Sequence, residues 1–305
     1  MDRRLEGLIA APFTPMTSDG KVDLGRIGDL AEFLRRNGVK GAFVAGTTGE
    51  SMSLTLDERL DVARRWVEAA PRDFRVVIHV GHTSIEVCKI LAAQAQEIGA
   101  WGIGAMGPCF FRPRTLDDLI DFCAEIAAAA PDLPFYYYHI PNLTRVDFPM
   151  TEFLEAAPTR IPNLTGIKYT AADLVDFELC RGVDGGRFDL LFGCDELLIC
   201  GLALGARGAV GSTYNFAAPL YHKIIEAFDA GDVESARSLQ RRSAQMVRAL
   251  NGAGCSYSAA AKSVMKMVGL DCGPTRMPLR AIAREQAETL HQELRNIGFF
   301  ETCSK

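Results

Sequence analysis

The sequence lacks the short patterns that mark nucleotide, nucleic-acid or membrane chemistry. No G-x-G-x-x-G follows an early strand-like segment, and the Gly-Thr-Thr-Gly turn at 46–49 has no Walker lysine after it. With 33 basic and 38 acidic residues the formal net charge is −5, and no arginine-rich run is present. We therefore expect no nucleic-acid partner. No apolar stretch approaches the ~20 residues needed to cross a bilayer, so we also expect no membrane partner.

The sequence also lacks a regular cysteine or metal-ligand pattern. Its nine cysteines are odd in number, irregularly spaced and without a C-x-x-C pair, which predicts a reducing, cytoplasmic setting. His79 and His82 are three residues apart, so on a strand they would face opposite ways, and no third ligand is near. We expect no metal there, and we interpret Cys194 as a small packed residue rather than a reactive thiol.

Eight short apolar segments alternate with amphipathic ones up to about residue 228. Between the strand candidates, apolar residues recur at three- and four-residue spacing, as in 57–69, 84–98, 116–130 and 196–204. Gly38, Gly99 and Gly205 stand where helices are expected to end. This count favours an α/β fold of the (β/α)8 TIM-barrel type, with a doubly wound open sheet as the alternative. The strand candidates are residues 6–12, 41–46, 75–81, 101–107, 134–140, 164–169, 188–193 and 208–213.

Strand-like segments stop after residue 228, and three helical segments follow. The predicted helices cover 232–250, 258–268 and 279–297, with Asp232 as an N-cap, Gly269 ending the middle helix, and Pro274 and Pro278 before the last. We therefore predict a catalytic barrel over residues 1–228 and a C-terminal three-helix extension over residues 229–305.

One lysine stands inside an apolar strand candidate, where lysine is unusual. Burying an ammonium group without a counter-charge lowers its pKa and supplies the free amine that attacks a carbonyl carbon. A surface lysine at a loop start is the commoner situation. However, Ala171-Ala172-Asp173 follow and are expected to begin a helix, which places Lys168 at a strand-to-helix junction. We predict a Schiff-base enzyme with Lys168 as nucleophile and Tyr138 as its proton-transfer partner.

Tyr138 belongs to a run of three tyrosines in the preceding strand candidate. Because side chains alternate along a strand, Tyr136 and Tyr138 share one face and Tyr137 takes the other. A core position is the commoner role for any one tyrosine. Tyr138 is favoured for chemistry because it is nearest the end of the strand.

Polar residues follow three other strand candidates. In the turn at 46–51, backbone N–H groups and the hydroxyls of Thr47 and Thr48 can point at one anion, for which a substrate carboxylate is more plausible than a nucleotide. The alternative is a plain turn in which Thr48 caps the next helix. After the seventh and eighth candidates come carboxylates and hydroxyls that can bind a polyhydroxylated substrate or, alternatively, acids that favour a helix N-terminus; these residues are Gly193, Asp195, Glu196 and Ser212.

Taken together, these motifs resemble the dihydrodipicolinate synthase / N-acetylneuraminate lyase family of pyruvate-dependent class I aldolases, over essentially the whole chain. The motifs are Gly46-Thr47-Thr48-Gly49-Glu50, Tyr138-x-Ile140-Pro141, Gly166-Ile167-Lys168-Tyr169-Thr170 and Gly193-x-Asp195-Glu196. The resemblance implies a Schiff base through Lys168 with no metal or organic cofactor, proton transfer by Tyr138, and a homotetramer. The implied substrate contacts are Thr47, Thr48, Thr170, Gly193, Asp195, Glu196 and Ser212.

Within the family, residues 136–141, 195–196 and 211–215 most resemble the N-acetylneuraminate lyase branch. This implies reversible cleavage of N-acetylneuraminate to pyruvate and N-acetylmannosamine. The synthase branch uses an arginine after Tyr-x-x-Pro to hold a carboxylated aldehyde; here Leu143 takes that place and Arg145 lies two residues further on.

Three alternatives remain, and one family feature is missing. The alternatives are another 2-oxo acid aldolase or dehydratase, such as one for keto-deoxy sugar acids, dihydrodipicolinate synthase, and a catalytically silent barrel that binds a sugar acid. Many microbial relatives donate a tyrosine across a subunit contact from the loop after the fourth strand. Here that loop carries Phe110-Phe111, with no hydroxyl.

Overall fold

The chain folds around a closed barrel of eight parallel strands. The computed structural model describes residues 4–305, and in it each strand pairs with the next while the last pairs back with the first. The segments are short, apolar and buried on both faces, as expected for parallel strands covered by helices. They are β1 (Gly7–Ala10), β2 (Gly41–Val44), β3 (Arg75–His79), β4 (Gly102–Met106), β5 (Phe135–His139), β6 (Leu164–Tyr169), β7 (Asp189–Phe192) and β8 (Gly208–Gly211).

The helices surround the barrel and continue beyond it. Thr55 and Thr115 begin two of them with complete capping boxes. The helices are α1 (Arg26–Arg36), α2 (Leu56–Ala69), α3 (Ile85–Glu97), α4 (Leu116–Ala128), α5 (Pro141–Thr144), α6 (Met150–Ala156), α7 (Leu174–Gly182), α8 (Leu198–Ala203), α9 (Tyr214–Asp229), α10 (Val233–Gly252), α11 (Tyr257–Met267) and α12 (Arg284–Asn296). Within residues 4–305, no helix combines the length and apolar character that a membrane crossing requires.

The apolar core has two parts, divided by the barrel wall. The larger part lies between the strands and the helices and includes Tyr137. The smaller part fills the barrel interior and includes Phe43, Tyr136 and Tyr138. The alternation predicted for the three tyrosines is therefore confirmed, and Tyr138 points into the barrel.

The register between β5 and β6 brings the two predicted catalytic side chains together. Tyr138 is paired with Lys168 across these strands, and Lys168 is paired with Leu191 of β7 on its other side. Both residues lie next to the last residue of their strands. They therefore meet inside the barrel at its carboxyl end, where barrel enzymes carry their chemistry.

The strand prediction and the barrel are confirmed, whereas the starts of two helices were predicted wrongly and one alternative for the turn at 46–51 is excluded. α7 begins at Leu174 rather than at Ala171, because Asp173 is the N-cap and accepts hydrogen bonds from the backbone of Val175 and Asp176. Thr48 does not cap the next helix, since Thr55 does.

The second helix start that was predicted wrongly is that of the last helix, α12, which begins at Arg284 and not at 279. The segment before it is held in a turn, in which the N–H of Leu279 donates to the carbonyl of Arg276 and the hydroxyl of Thr275 donates to the carbonyl of Leu279. Arg276 is in turn bound to Glu58 of α2. This local turn, together with the tertiary contact between Arg276 and Glu58, prevails over the helical pattern of the sequence.

The helices that follow α9 agree with the predicted extension. Asp232 caps α10 by accepting from the N–H of Ser235, and Gly269 stands after α11 with a φ of 100°. The division into a barrel over residues 1–228 and an extension over residues 229–305 stays a prediction.

Candidate active site

Lys168 is buried inside the carboxyl end of the barrel between two aromatic rings. Its side chain is 3 % exposed, and Nζ lies 3.9 Å from the ring centre of Tyr138 and 4.3 Å from that of Phe43. Within residues 4–305 it has no hydrogen bond or ion pair. Burial lowers the pKa of Lys168 to about 7, against a smaller opposing effect of the Asp195 carboxylate. Much of the amine is therefore unprotonated near neutral pH and able to act as a nucleophile.

Tyr138 presents its hydroxyl to the same space. The oxygen lies 3.3 Å from Oγ1 of Thr47, on the turn after β2. Burial raises the pKa of Tyr138 to about 12, although the hydrogen bond to Thr47 acts in the opposite direction. The side chain is therefore a neutral phenol at physiological pH. Such a group can pass a proton on by accepting one and donating another, but it cannot serve as a preformed phenolate base.

The turn at 46–50 has a tightly specified backbone. The N–H of Glu50 donates to the carbonyl of Thr47 at 3.0 Å, and the Thr14 hydroxyl donates to the carbonyl of Gly49 at 2.7 Å. Ala45 and Glu50 have φ values of 52° and 57°, which side chains other than glycine rarely adopt. Tertiary contacts must therefore hold the turn in this shape.

A cavity of about 170 Å³ connects Lys168, Tyr138 and the turn. It opens beside a second cavity of about 300 Å³, and the two share several lining residues. The first cavity contains the predicted residues Thr47, Thr48, Tyr138, Lys168, Thr170, Gly193, Asp195 and Ser212, and the second contains Thr170, Gly193, Asp195, Glu196 and Ser212. The residues predicted from the sequence thus meet around two adjoining spaces.

Larger grooves lie elsewhere on the molecule, and two of them have the greatest volumes. One, of about 750 Å³, is bordered by residues 16–18 and α11, and the other, of about 920 Å³, by residues 70–76 and 132–134. The buried lysine of the first groove, Lys262, is paired with a carboxylate. The two adjoining smaller cavities therefore remain the candidate active site, because the first of them holds the unpaired amine.

Asp195 is a buried anchor as well as a lining residue. Its Oδ2 accepts hydrogen bonds from the backbone N–H of Thr213 at 2.8 Å and from the Thr213 hydroxyl at 2.6 Å. Burial raises the pKa of Asp195 to about 6, whereas the hydrogen bonds from Thr213 act in the opposite direction. A Cβ on Gly211 would lie 2.3 Å from Oδ1, so only glycine leaves room for the carboxylate. Asp195 therefore fixes the end of β7 against the end of β8.

Gly193 and Thr170 lie against each other at the ends of β7 and β6. A Cβ on Gly193 would come within 2.2 Å of the Thr170 hydroxyl, so the position requires glycine. Oγ1 of Thr170 is buried and makes no hydrogen bond of normal geometry within residues 4–305, although it lies near enough to the Tyr138 hydroxyl to oppose the rise in the pKa of Tyr138. It is therefore available to a hydroxyl of a bound molecule.

The C-terminal extension contributes lining residues that the sequence did not reveal. Tyr257, the first residue of α11, borders both cavities, and its hydroxyl lies 2.8 Å from Oγ of Ser212. Asn251 of α10 and Asn142 of α5 border the second cavity. Only the position of Asn142, directly after Tyr-x-x-Pro, offered a signal in the sequence. The helix residues have none, because their contact depends on how distant segments pack.

The other candidates considered from the sequence have ordinary environments. Nδ1 of His79 lies 3.0 Å from the carbonyl oxygen of Ala45, and burial keeps its pKa well below the usual range. Cys194 contacts the carbonyl of Ala171 at 3.4 Å, and burial raises its pKa to about 12, so it is a thiol and not a thiolate. Within residues 4–305 no group of three His, Cys, Asp or Glu side chains could hold a metal.

The lining of both cavities contains a single cationic side chain, Lys168, as far as residues 4–305 show. Leu143, which takes the place of the arginine in the synthase branch, is 59 % exposed and borders neither cavity. Arg145 is also exposed. The site therefore offers no guanidinium to a second carboxylate.

Comparisons with known proteins identify the family of the chain. Residues 4–297 match the model of the dihydrodipicolinate synthetase family. The N-acetylneuraminate lyase of Rattus norvegicus is 42% identical over 301 residues, which cover 97% of this chain and 94% of the relative. The human N-acetylneuraminate lyase is 41% identical over 303 residues, with coverage of 97% and 94%.

The fold is also similar to that of a solved N-acetylneuraminate lyase structure. The N-acetylneuraminate lyase of Proteus mirabilis superposes with a TM-score of 0.94 at 41% identity, covering 97% of this chain and 99% of that one. Since the family match and these relatives extend over nearly the whole length, the chain belongs to the dihydrodipicolinate synthetase family.

Proposed function

We propose that the chain is a Schiff-base aldolase that cleaves N-acetylneuraminate reversibly to pyruvate and N-acetylmannosamine. The observation that carries this proposal is the amine of Lys168, which is buried, unpaired within the described residues, and 3.9 Å from the ring centre of Tyr138. The names of the similar lyases support the same reaction. The chain is accordingly a carbon–carbon lyase.

The reaction begins at Lys168. The free amine adds to C2 of the open-chain 2-oxo acid, and uptake of one proton with loss of water gives an iminium ion; the final hydrolysis returns that proton. The positive nitrogen accepts the electron pair of the C3–C4 bond as that bond breaks. The C4 hydroxyl loses its proton in the same step, so C4 leaves as an aldehyde and C3 becomes an enamine. Protonation of C3 and hydrolysis then release pyruvate and restore the amine.

Tyr138 moves the proton. Because its pKa is raised to about 12, Tyr138 is a neutral phenol that still carries its own proton. It therefore donates this proton to the substrate carboxylate while it accepts the proton of the C4 hydroxyl. Thr47, 3.3 Å from the phenol oxygen, orients it, and Thr170 orients the C4 hydroxyl. This route uses the neutral phenol throughout and needs no residue from the loop at Phe110-Phe111. The iminium is the electron sink, so the step calls for no metal or organic cofactor.

The two cavities divide the substrate between them. The turn with Thr47 and Thr48 holds the carboxylate beside Lys168, in the smaller cavity. The polyol tail then extends into the larger cavity, where Gly193, Asp195, Glu196 and Ser212 contact it. The tail carries no charge, in keeping with a lining that holds no arginine within residues 4–305.

The lack of an arginine in the cavity lining within residues 4–305 also distinguishes the alternative functions. Dihydrodipicolinate synthase acts on an aldehyde with its own carboxylate, for which this site has no cation besides Lys168. An aldolase for another 2-oxo sugar acid remains the nearest competitor, because its aldehyde would be equally uncharged. A silent sugar-acid-binding barrel would have no need of an unprotonated buried amine.

The test is a panel of aldehydes offered with pyruvate, with product measured by mass spectrometry. We expect condensation with N-acetylmannosamine, cleavage of N-acetylneuraminate to pyruvate, and no product with aspartate semialdehyde. The Lys168→Ala variant is the control and should give no product. Condensation with aspartate semialdehyde in preference to the amino sugar would contradict the assignment.

We also propose a cytoplasmic homotetramer, as the resemblance implies. The nine cysteines are all free, in keeping with a reducing compartment. Large apolar side chains are exposed at Phe110, Phe111, Val175 and Leu179, in keeping with subunit contacts. Light scattering on the purified chain would test the assembly.

A further inference from the structure

We infer that Glu50 and Lys262 are positioning residues that hold the carboxylate-binding turn in its active shape. The inference rests on the proposed function, because it concerns the site where the substrate carboxylate would bind. Glu50 is the last residue of the Gly-Thr-Thr-Gly-Glu motif, and the mechanism above gives it no part.

The two residues form an ion pair that is shielded from water. Nζ of Lys262 lies 2.8 Å from Oε1 of Glu50, and their side chains are 2 % and 1 % exposed. Lys262 also donates to the carbonyl of Pro274 at 2.8 Å, and the backbone N–H of Arg276 donates to Oε2 of Glu50 at 2.8 Å. Within residues 4–305, both of these contacts of the Glu50 carboxylate thus come from the C-terminal extension.

The position of Glu50 in the turn explains why such an anchor matters. Its φ of 57° lies in the left-handed region, which a glutamate adopts only when its surroundings require it. Its N–H bonds the carbonyl of Thr47, so the conformation of Glu50 determines where Thr47 lies. Thr47 in turn contacts the Tyr138 hydroxyl. Displacement of Glu50 would therefore move the groups that face the substrate carboxylate.

The helix that carries Lys262, α11, makes a second contact with the site. α11 carries Lys262 near its middle and Tyr257 at its start, and Tyr257 contacts Ser212 after β8. One rigid helix therefore holds the turn after β2 and the residues after β8 at a fixed separation across the cavity. We infer that the extension sets the width of the carboxylate site through these two contacts.

The chain offers a matched control in Glu58. Glu58 also pairs with the extension, since its carboxylate binds the guanidinium of Arg276 at 2.6 and 2.8 Å. However, Glu58 belongs to α2, its side chain is 26 % exposed, and within residues 4–305 its carboxylate accepts hydrogen bonds from Thr55 and Arg276 and none from the turn at 46–50. The substitution Glu58→Gln removes a charge that binds the side chain of Arg276 and leaves the ion pair of Glu50 and Lys262 in place.

The experiment measures trapping of ketones on Lys168 by borohydride in the full-length protein, with pyruvate and with acetone, which lacks a carboxylate. For Glu50→Gln and Lys262→Met we expect the pyruvate concentration at half-maximal trapping to rise about 10-fold or more, the effect of misaligning one hydrogen bond to a charged group. Trapping with acetone should be unchanged, and Glu58→Gln should match the wild type with both ketones.

The double variant Glu50→Gln/Lys262→Met covers the case in which a single variant fails to fold, because it leaves no buried charge unpaired. It should keep its thermal stability and still bind pyruvate weakly. Unaltered pyruvate dependence in the double variant, or equal losses with pyruvate and acetone, would overturn the inference. If the wild type itself forms no pyruvate adduct on Lys168, the proposed function fails instead.

Discussion

At the scale of single residues, the account depends on the environment of one amine. Lys168 faces the rings of Phe43 and Tyr138, which provide an apolar surface and no counter-charge within hydrogen-bond reach. Burial consequently lowers its pKa to about 7, whereas Lys262, buried to a similar degree, has a carboxylate partner at 2.8 Å. The contrast between these two buried lysines separates a nucleophile from a structural charge.

Tyr138 provides the first prediction at this scale. In Tyr138→Phe the ring that packs against Lys168 is kept and the hydroxyl is lost. The variant should still form the imine with pyruvate but cleave N-acetylneuraminate ~10²–10⁴-fold more slowly, the usual contribution of a positioned proton-transfer group. Borohydride trapping measures the imine, and a coupled assay for pyruvate measures the cleavage. Cleavage at the wild-type rate would exclude the proton role.

The residues around Lys168 could be predicted to different degrees. Lys168 and Tyr138 were recognisable because a strand that is apolar on both faces has no ordinary place for an amine, and because barrels carry chemistry where strands end. Asp195 could be predicted to lie at the site, but its anchoring role could not, since its hydrogen bonds with Thr213 depend on how the ends of β7 and β8 approach each other. Tyr257 could not be found, because nothing local shows that α11 covers the barrel mouth.

At the scale of elements, the local pattern of apolar residues was sufficient to predict the strands, because the strands are buried along their whole length. Each of the eight strands was recognisable as a short apolar segment between helices, and its ends were predicted within about two residues. The start of α12 was predicted five residues too early, because Leu279 is held in a local turn by bonds with Thr275 and Arg276, and Ala283 has the extended backbone of an N-cap. Periodicity therefore identified the elements, and capping and long-range bonds decided where helices begin.

α11 is the element that relates the extension to the chemistry. Ser256 caps it, and from that fixed start the helix places Tyr257 against Ser212 and Lys262 against Glu50. The extension therefore contributes to the shape of the active site, and the Glu50 and Lys262 variants described above test this contribution.

At the scale of the whole molecule, the buried amine is expected to lower stability. The pKa of Lys168 is about 7 in the folded chain, against the ordinary lysine value of 10.5 in the unfolded chain. Below pH 7 both states carry the proton and folding bears the full cost of burying the charge. Between pH 7 and pH 10.5 the unfolded state binds more protons than the folded state, so stability rises with pH.

This relation predicts how Lys168→Met compares with the wild type. The free energy of unfolding of the apolar variant should exceed that of the wild type by a few kcal/mol, since one pKa unit corresponds to about 1.4 kcal/mol. The variant should therefore unfold at a higher temperature. Its advantage should be largest at pH 7 and below and should shrink as pH approaches 10. Calorimetry of both proteins over this range measures the difference. A variant that is less stable than the wild type at pH 6 would contradict an unpaired buried amine.

The measurement that tests the central claim most directly is mass spectrometry of the wild-type protein after reaction with pyruvate and borohydride. The account predicts one reduced pyruvyl adduct per chain, on the peptide that contains Lys168, and none after Lys168→Ala. An adduct on Lys262 or on another lysine, or the absence of any adduct, would contradict it.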